Sequence, residues 1–429
     1  MNAPAVQRRT LRVLTASQIL GGVGVASGIA VGGLLAADLH GSATAAGLAQ
    51  ACSTIGAALL ALPLARLMSR RGRRPGLATG YALGLTGAVC VLVAAQAHAL
   101  WLLLVGMLLF GGGTTSNQQA RYAATDLAIP TRRGRTLAIV VWATTVGAVT
   151  GPNLADPGAR LADAIGLRHL AGSFLFSLVA FGLAAGTLLL TLRPDPLLTA
   201  RAVSPGSAAG PASRLPLGAA LRLVTASPTG LLGLAAVVVS HTVMVGVMVM
   251  TPVHMGEHGA TLRVVGLVIG VHILGMYAFS PAVGWLADRF GRVPVVLAGA
   301  LILLTATGVA GTAPEQGSAQ LGVGLFLLGT GWSCGLVAGS TLLTESVPAA
   351  ARPGVQGSTD LLMGLVAGLG GLAAGPVVAG PGYPMLNLLA ALVVLPLVVL
   401  ALGLVRSGGA PTGSGGPAPA PGVVAGEVS

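Results

Sequence analysis

The chain has 429 residues, of which 54% are hydrophobic and only 8% are charged, and its mean hydropathy is +0.87. A soluble domain needs far more charge to cover its surface, so this composition excludes a soluble globular protein and indicates a membrane protein. The net charge is +12, and all 23 basic residues are Arg. They are clustered between apolar segments rather than along one stripe, which argues against a nucleic-acid partner.

Twelve apolar segments follow one another along the chain, each long enough to cross a bilayer core as a helix. They lack the alternation of barrel strands, so we predict an all-α membrane protein with 12 transmembrane helices. The polar connector 193–226 separates a first half, 1–192, from a second half, 227–406, and residues 407–429 are expected to form a disordered cytoplasmic tail. The predicted spans lie at about 11–36, 45–68, 76–96, 100–123, 136–154, 169–192, 228–252, 262–286, 294–312, 319–343, 354–378 and 384–405.

The distribution of Arg predicts the orientation of the chain. If both termini are cytoplasmic, 20 of the 23 Arg residues fall in cytoplasmic segments, and Arg160, Arg168 and Arg263 fall outside them. Basic residues are retained on the cytoplasmic side of bacterial multispanning proteins. We therefore predict a multi-pass protein of the bacterial cell (inner) membrane with both termini in the cytoplasm.

The two halves repeat each other in sequence. "RLMSRRGRRP" (66–75) matches "WLADRFGRVP" (285–294) at an offset of 219, and "GAVTGP" (147–152) matches "GLAAGP" (371–376) at an offset of 224. Two matches at nearly one offset indicate duplicated halves, which are typical of secondary transporters.

The first of these matches resembles the loop signature of the major facilitator superfamily, G-x-x-x-D-R-x-G-R, which follows spans two and eight. This resemblance implies the major facilitator fold, with two pseudo-symmetric six-helix halves, and a conformational latch at the cytoplasmic face. Orientation alone would also explain the Arg residues. The first copy has Ala65 and Ser69 where Gly and Asp are expected, and Asp126 is the candidate substitute acid. The latch residues predicted by resemblance are Gly284, Asp288, Arg289, Gly291 and Arg292 in the second copy, and Arg70, Gly72, Arg73 and Asp126 in the first.

The second match permits two interpretations. Gly147, Gly151 and Pro152 resemble the span-five signature of proton-driven antiporters, which would favour efflux. The same residues also permit close helix packing and a kink, and their recurrence in span eleven favours that architectural role.

Methionine and histidine are concentrated on spans seven and eight. The chain has ten Met and seven His, and nine of these 17 residues lie between His241 and Met276. Met244 and Met248 are four residues apart, as are His272 and Met276, so each pair shares a helix face. His241 lies one turn from Met244, and His254, Met255 and His258 follow at the predicted outer mouth.

Thioether sulfur and imidazole together select copper over hard cations. The pairs "MVGVM" (244–248) and "HILGM" (272–276) are similar to those of CcoA-like copper importers, a branch of the same superfamily. By that resemblance Met244, Met248, His272 and Met276, with His241, are the copper ligands, and His254, Met255 and His258 capture the ion at the outer mouth. Copper is then the substrate, and no prosthetic group is expected. Met is also an ordinary filler of apolar packing, so the pairs alone do not settle the cargo.

Other cargoes remain open. The same branch is associated with riboflavin uptake, and the span-five motif allows proton-coupled efflux of drugs or other small organic molecules. No enzyme motif occurs in the chain. The expected partners are the lipid bilayer, copper or a small organic substrate and protons as a coupling ion, and the protein is predicted to be a monomer.

Overall fold

The computed structural model describes residues 3–40, 43–203, 216–314 and 317–407. These residues are almost entirely helical, and none of them forms a strand. Eleven helices are long and apolar enough to cross a membrane, and a bent pair, Pro130–Gly151 with Ala155–Ala164, raises the number to 12. The all-α, twelve-span prediction is therefore confirmed for the described residues.

The described residues of the first half form seven α-helices, because span five continues into a short bent segment. This segment, α6, is inclined at 54° to the helix before it and was not predicted. The helices are α1 (Ala3–His40), α2 (Ala43–Arg71), α3 (Arg73–Ala97), α4 (Leu100–Ala123), α5 (Arg133–Asn153), α6 (Ala155–Ala164) and α7 (Gly172–Thr191).

The connector between the halves contains two short helices, α8 (Pro196–Val203) and α9 (Leu217–Thr225), although its composition predicted only a polar linker. Residues 204–215, and 408–429 of the predicted tail, lie outside the described residues. The second half consists of α10 (Pro228–Glu257), α11 (Leu262–Tyr277), α12 (Ser280–Phe290), α13 (Arg292–Gly311), α14 (Ser318–Glu345), α15 (Arg352–Ala379) and α16 (Tyr383–Arg406).

Span eight, Val264–Phe290, is interrupted for two residues between α11 and α12. Pro281 occupies the first turn of α12, and the residue before a proline is disfavoured in the helical conformation. The Ser280 hydroxyl donates to the carbonyl of Tyr277, at 2.7 Å, and so occupies a backbone acceptor at the break. The break places Tyr277 at the end of α11.

The tight turns that follow α2 and α12 are equivalent in the two repeats. Gly72 has a φ of +95° and Gly291 a φ of +97°, a conformation that residues with a Cβ rarely adopt. These glycines belong to the predicted signature, and glycine at both places lets the chain reverse within one residue. We call the end of the bundle that carries these turns, with their Arg residues, the basic end, and the other the opposite end.

The two halves pack against each other through small residues near the basic end. α2 lies along α15, where a Cβ on Gly357 would overlap Ala65 and one on Gly364 would lie 3.0 Å from that of Ala58. α5 lies along α12, where a Cβ on Gly284 would overlap Ala138 and the carbonyl of Gly134. Backbones therefore approach closely at both contacts.

Further along α15, toward the opposite end, this close packing stops. A Cβ at Gly368 or Gly375 would meet no described atom within 4 Å, and Leu369 and Leu372 are 67% and 73% exposed. The cross-half contacts of α15 are thus concentrated in its first half. This arrangement corresponds to closure at the basic end.

Candidate functional site

The predicted copper ligands lie inside the second half. Met244 is 5% exposed, Met276 is 7% exposed and His272 is fully buried, whereas Met248 is only partly buried. The three methionines belong to one hydrophobic core. None of the four side chains is turned wholly toward lipid.

The two helices that carry these ligands are joined mainly through a third helix. α10 and α11 make only slight contact with each other, whereas α14 packs extensively against both. His272 Nδ1 lies 2.7 Å from the carbonyl oxygen of Leu325 on α14, and a carbonyl only accepts, so this nitrogen donates. His272 Nε2 is then the nitrogen with a lone pair, and it is buried without a hydrogen-bond partner among the described residues.

His241 also faces α14, but its lone pair is occupied. The indole Nε1 of Trp332 donates to His241 Nδ1 at 3.0 Å, so the neutral ring carries its proton on Nε2. Tyr277 completes the group by packing edge-on against Trp332, with ring centroids 5.5 Å apart and planes at 83°. We call His241, Tyr277 and Trp332 the aromatic cluster. His241 and Tyr277 are half-buried, so part of each residue remains exposed.

The residues predicted to capture metal at the mouth are largely packed. Met255 is 2% exposed and His254 is 9% exposed, with its ring stacked on that of Tyr383 at 4.5 Å and 8°. His258 Nδ1 donates to the carbonyl of His254 at 2.7 Å. The described residues contain no group of three or more His, Cys, Asp or Glu placed to hold a metal ion, so a copper site would depend on methionine sulfur.

The structure brings together two of the predicted latch residues of the first repeat, Arg73 and Asp126. The guanidinium of Arg73 forms two hydrogen bonds to the carboxylate of Asp126, at 2.8 Å and 3.1 Å, and both side chains are buried. Arg73 also donates to the Gln356 amide oxygen on α15, at 2.8 Å, and so reaches the other half. Arg70 is exposed.

The second repeat contains the equivalent pair with a longer acid. Arg292 binds Glu345 at 3.0 Å, and these residues lie 219 positions after Arg73 and Asp126. Asp288 accepts from the backbone nitrogens of Gly134 and Arg135, at 2.9 Å and 2.8 Å, and so caps α5 of the first half. Arg289, like Arg70, is exposed.

Gly147 and Gly151 lie where α5 packs on α1. A Cβ on Gly147 would overlap the backbone of Gly22, and one on Gly151 would overlap Ala26. This geometry is that of close helix packing, the architectural interpretation of the motif. The side chain of Pro152 lies outside the described part of the structure.

A buried polar network links the two halves and was missed in the sequence. Asp360 of α15 accepts from Arg121 Nη2 at 2.6 Å and from Gln119 Nε2 at 2.9 Å, both on α4. Arg121 also donates to the Ser340 hydroxyl of α14 at 3.3 Å. We call Gln119, Arg121 and Asp360 the cross-half network. Its signal in the sequence was an isolated acid in an apolar span.

The cross-half network and the aromatic cluster meet the same helix, α14, at Ser340 and Trp332, which lie eight residues, or about 12 Å, apart along it. Together they combine ring surfaces, an imidazole and a cation, where α4 meets the second half. Such a set suits a solute with a planar ring and hydrogen-bonding groups.

The fold, with its twelve spans in two repeated halves, defines a multi-pass membrane transporter. A family model described as Major Facilitator Superfamily matches residues 14–258 and 233–426. The chain belongs to the major facilitator superfamily.

Three known proteins illustrate the likeness. The chain is 41% identical to the uncharacterized MFS-type transporter YddS of Bacillus subtilis, over 91% of this chain and 90% of the relative. It is 30% identical to the riboflavin transporter RfnT of Brucella anthropi, over 93% and 97% of the two chains. The crystal structure of the human organic anion transporter MFSD10 has the same fold, with a TM-score of 0.74, 19% identity and coverage of 92% and 99%.

Proposed function

We propose that this protein is a secondary active transporter that moves a small organic solute with a planar ring system, by alternating access of its two halves. The observation that carries the proposal is the aromatic cluster. Its Trp332 and His241 are hydrogen-bonded to each other, while His241 and Tyr277 remain partly exposed. The 30% identity to a riboflavin transporter over nearly the whole chain supports a flavin-like cargo.

The proposed setting is the bacterial inner membrane, with the basic end and both termini in the cytoplasm. The excess of Arg at the basic end supports this orientation. A fluorescent protein that matures only in the cytoplasm should fluoresce when it is fused after Ser429. If that fusion is dark and a fusion in the 312–318 loop fluoresces instead, the proposed orientation is wrong.

Copper import is the second candidate. The observation in its favour is the buried lone pair of His272 Nε2, one helical turn from the sulfur of Met276. In this interpretation His241 contributes less to copper binding than predicted, because its nitrogen lone pair is occupied by the hydrogen bond from Trp332.

One experiment separates the two cargoes. Cells that express the wild type, Trp332→Ala or His272→Ala are assayed in parallel for riboflavin and copper, in uptake and in export. We expect Trp332→Ala to lower riboflavin transport by on the order of tenfold, because losing one aromatic contact costs about 1–1.5 kcal/mol of binding free energy. Trp101→Ala is the matched control, because Trp101 is 69% exposed. Copper accumulation that depends on His272, with no riboflavin movement, would instead establish the second candidate.

A further inference from the structure

Among the described residues, the carboxylate of Asp360 has partners only in the other half of the molecule. The side chain is fully buried, and its two hydrogen bonds come from Arg121 and Gln119 of α4. Asp360 lies eight residues into α15, about 12 Å from the start of that helix at 1.5 Å per residue. It therefore links the halves beneath the surface of the basic end.

Arg121 is less dependent on this pairing. It donates to the Gln118 carbonyl at 2.7 Å and to the Tyr122 hydroxyl at 3.1 Å, both on its own helix. Its guanidinium also lies 4.4 Å from the centre of the Tyr122 ring, where a cation is stabilised. If the halves separate, Arg121 retains these contacts while Asp360 loses both of its hydrogen bonds.

The pair occurs in one repeat only. The position 219 residues after Arg121 holds Ser340, and the positions 219 and 224 residues before Asp360 hold Val141 and Thr136, so neither offset gives an equivalent pair. By contrast, the Arg73–Asp126 pair has a counterpart in Arg292–Glu345. Duplication therefore explains the latter pairs, whereas Arg121–Asp360 is an addition to the common architecture.

We propose that Asp360 is the site at which a proton couples to the conformational change of this transporter. With the basic end closed, the carboxylate is ionised and its bond to Arg121 stabilises the closed state. A proton that adds to a carboxylate oxygen neutralises Asp360, and its charge-assisted hydrogen bond with Arg121 is lost. The halves then separate at the basic end, where the acid meets water and releases the proton. No covalent bond between heavy atoms changes.

The surroundings of Asp360 fit this assignment. Among the described residues, the titratable groups around it are Arg121, which binds it directly, Tyr122, which binds Arg121, and Arg73, which binds Gln356 one turn away on α15. α2, which packs along the same helix, contributes small apolar residues such as Ala58 and Ala65, and α14 contributes the Ser340 hydroxyl through Arg121. α9, α10 and α16 also pack on α15. Loss of the contact with Arg121 therefore determines whether Asp360 becomes protonated.

The inference rests on the alternating access proposed above, but one of its tests needs no cargo. Spin labels on cysteines that replace the exposed residues Arg71 and Phe290, in a chain with Cys52, Cys90 and Cys334 replaced by Ser, report the separation of the halves at the basic end. In lipid nanodiscs we expect the distance between labels to increase as pH falls, because the ionised pair stabilises closure only at higher pH. Asp360→Asn, which is neutral at all pH values, should give the larger distance throughout.

The control is Asp38→Asn, which removes an equally short ion pair, Arg168–Asp38 at 2.6 Å, within the first half and exposed to solvent. This variant should respond to pH like the wild type, and Asp360→Glu should restore most of the response. A distance in Asp360→Asn that still follows pH as in the wild type would overturn the inference.

Transport in proteoliposomes gives the second readout. An imposed pH gradient should accelerate net transport by the wild type on the order of tenfold, a typical coupling. Asp360→Asn should lose that acceleration but retain exchange of labelled for unlabelled cargo, which needs no net proton movement. If the wild type moves no organic solute, the proposed cargo is wrong, whereas the pH-dependent distance still tests Asp360. Full gradient-driven transport by Asp360→Asn would overturn the coupling role.

Discussion

Asp126 and Glu345 occupy equivalent positions in the two repeats, yet they lie in different environments. The side chains of Arg73 and Asp126 are 0% and 1% exposed, whereas those of Arg292 and Glu345 are 14% and 26% exposed. Removing one partner of a buried pair leaves an uncompensated charge, but removing one partner of a more exposed pair admits water. The two pairs therefore differ in energy although they share an ancestry in the repeat.

This difference predicts unequal effects of two equivalent substitutions. Asp126→Asn should lower the free energy of unfolding by about 3–5 kcal/mol, and Glu345→Gln by no more than about 1 kcal/mol. Thermal unfolding of the purified proteins in detergent, scanned under one set of conditions, measures both. Equal losses would mean that water reaches Arg73 as readily as Arg292.

At the residue scale, the sequence predicted pairs only where a repeat or a motif indicated them. Asp126 was recognised as a candidate substitute acid because Ser69 left the signature without one, and the structure pairs it with Arg73. The Arg121–Asp360 pair joins residues 239 positions apart and follows no motif, so only the packing of α4 on α15 brings it together. The bond from Trp332 to His241 was missed for the same reason, since α14 carried no marked residue.

At the level of helices, the two cross-half contacts use the same pair of residue types in exchanged positions. In one contact Gly284 of α12 meets Ala138 of α5. In the other contact Ala65 of α2 meets Gly357 of α15. Ala65 lies 219 positions before Gly284, and Gly357 lies 219 positions after Ala138. The Ala65 that departs from the signature is thus compensated by a glycine on the facing helix.

The exchange predicts a rescue. Gly357→Ala places two methyl groups in one contact and should weaken closure at the basic end by about 1–3 kcal/mol, as overpacking does. Adding Ala65→Gly recreates the arrangement of the other contact and should recover most of the loss. The yield of a cross-half disulfide, described below, measures closure in each variant.

Gly368→Ala is the matched control, because its new methyl would meet no described atom within 4 Å. It should leave closure unchanged and raise helix stability by up to about 1 kcal/mol. A double variant no better than Gly357→Ala alone would show that the helices shift independently of these two positions.

Helices were predictable from long apolar segments, but their interruptions were not. Span eight was predicted as one segment at 262–286, and the structure has one apolar span there, Val264–Phe290; composition did not indicate the two-residue interruption that precedes Pro281. The helices α8 and α9 are short and lie within a polar segment, where hydropathy gives no signal. Asp195 fixes the start of α8 by accepting from the backbone nitrogen of Leu197 at 3.0 Å, a local contact that composition does not predict.

For the whole molecule, the halves are joined at the basic end and diverge along α15 toward the opposite end. Alternating access then requires α2 and α15, and α5 and α12, to separate. A covalent bond across one of these contacts should prevent that movement without altering the fold.

The pair Ala58→Cys and Gly364→Cys tests this requirement in a chain whose native cysteines are replaced by Ser. A Cβ on Gly364 would lie 3.0 Å from that of Ala58, slightly inside the range of disulfides, so a small adjustment suffices. Oxidation should form the disulfide in high yield and abolish transport, and a reducing agent should restore it. Ala58→Cys with Gly368→Cys, one turn further along α15, should form little disulfide. Undiminished transport by the oxidised first pair would contradict separation of α2 from α15.

The exchange of glycine and alanine also bears on how gene duplications are detected. Each contact keeps a single methyl group between its two backbones, whichever helix carries it. At the offset of 219, an alignment of the halves counts mismatches at 65 against 284 and at 138 against 357, whereas a comparison of facing pairs counts none. Ancient tandem duplications with little remaining sequence identity would therefore be recognised better by the conserved summed side-chain volume of contacting residues than by conserved residue identities.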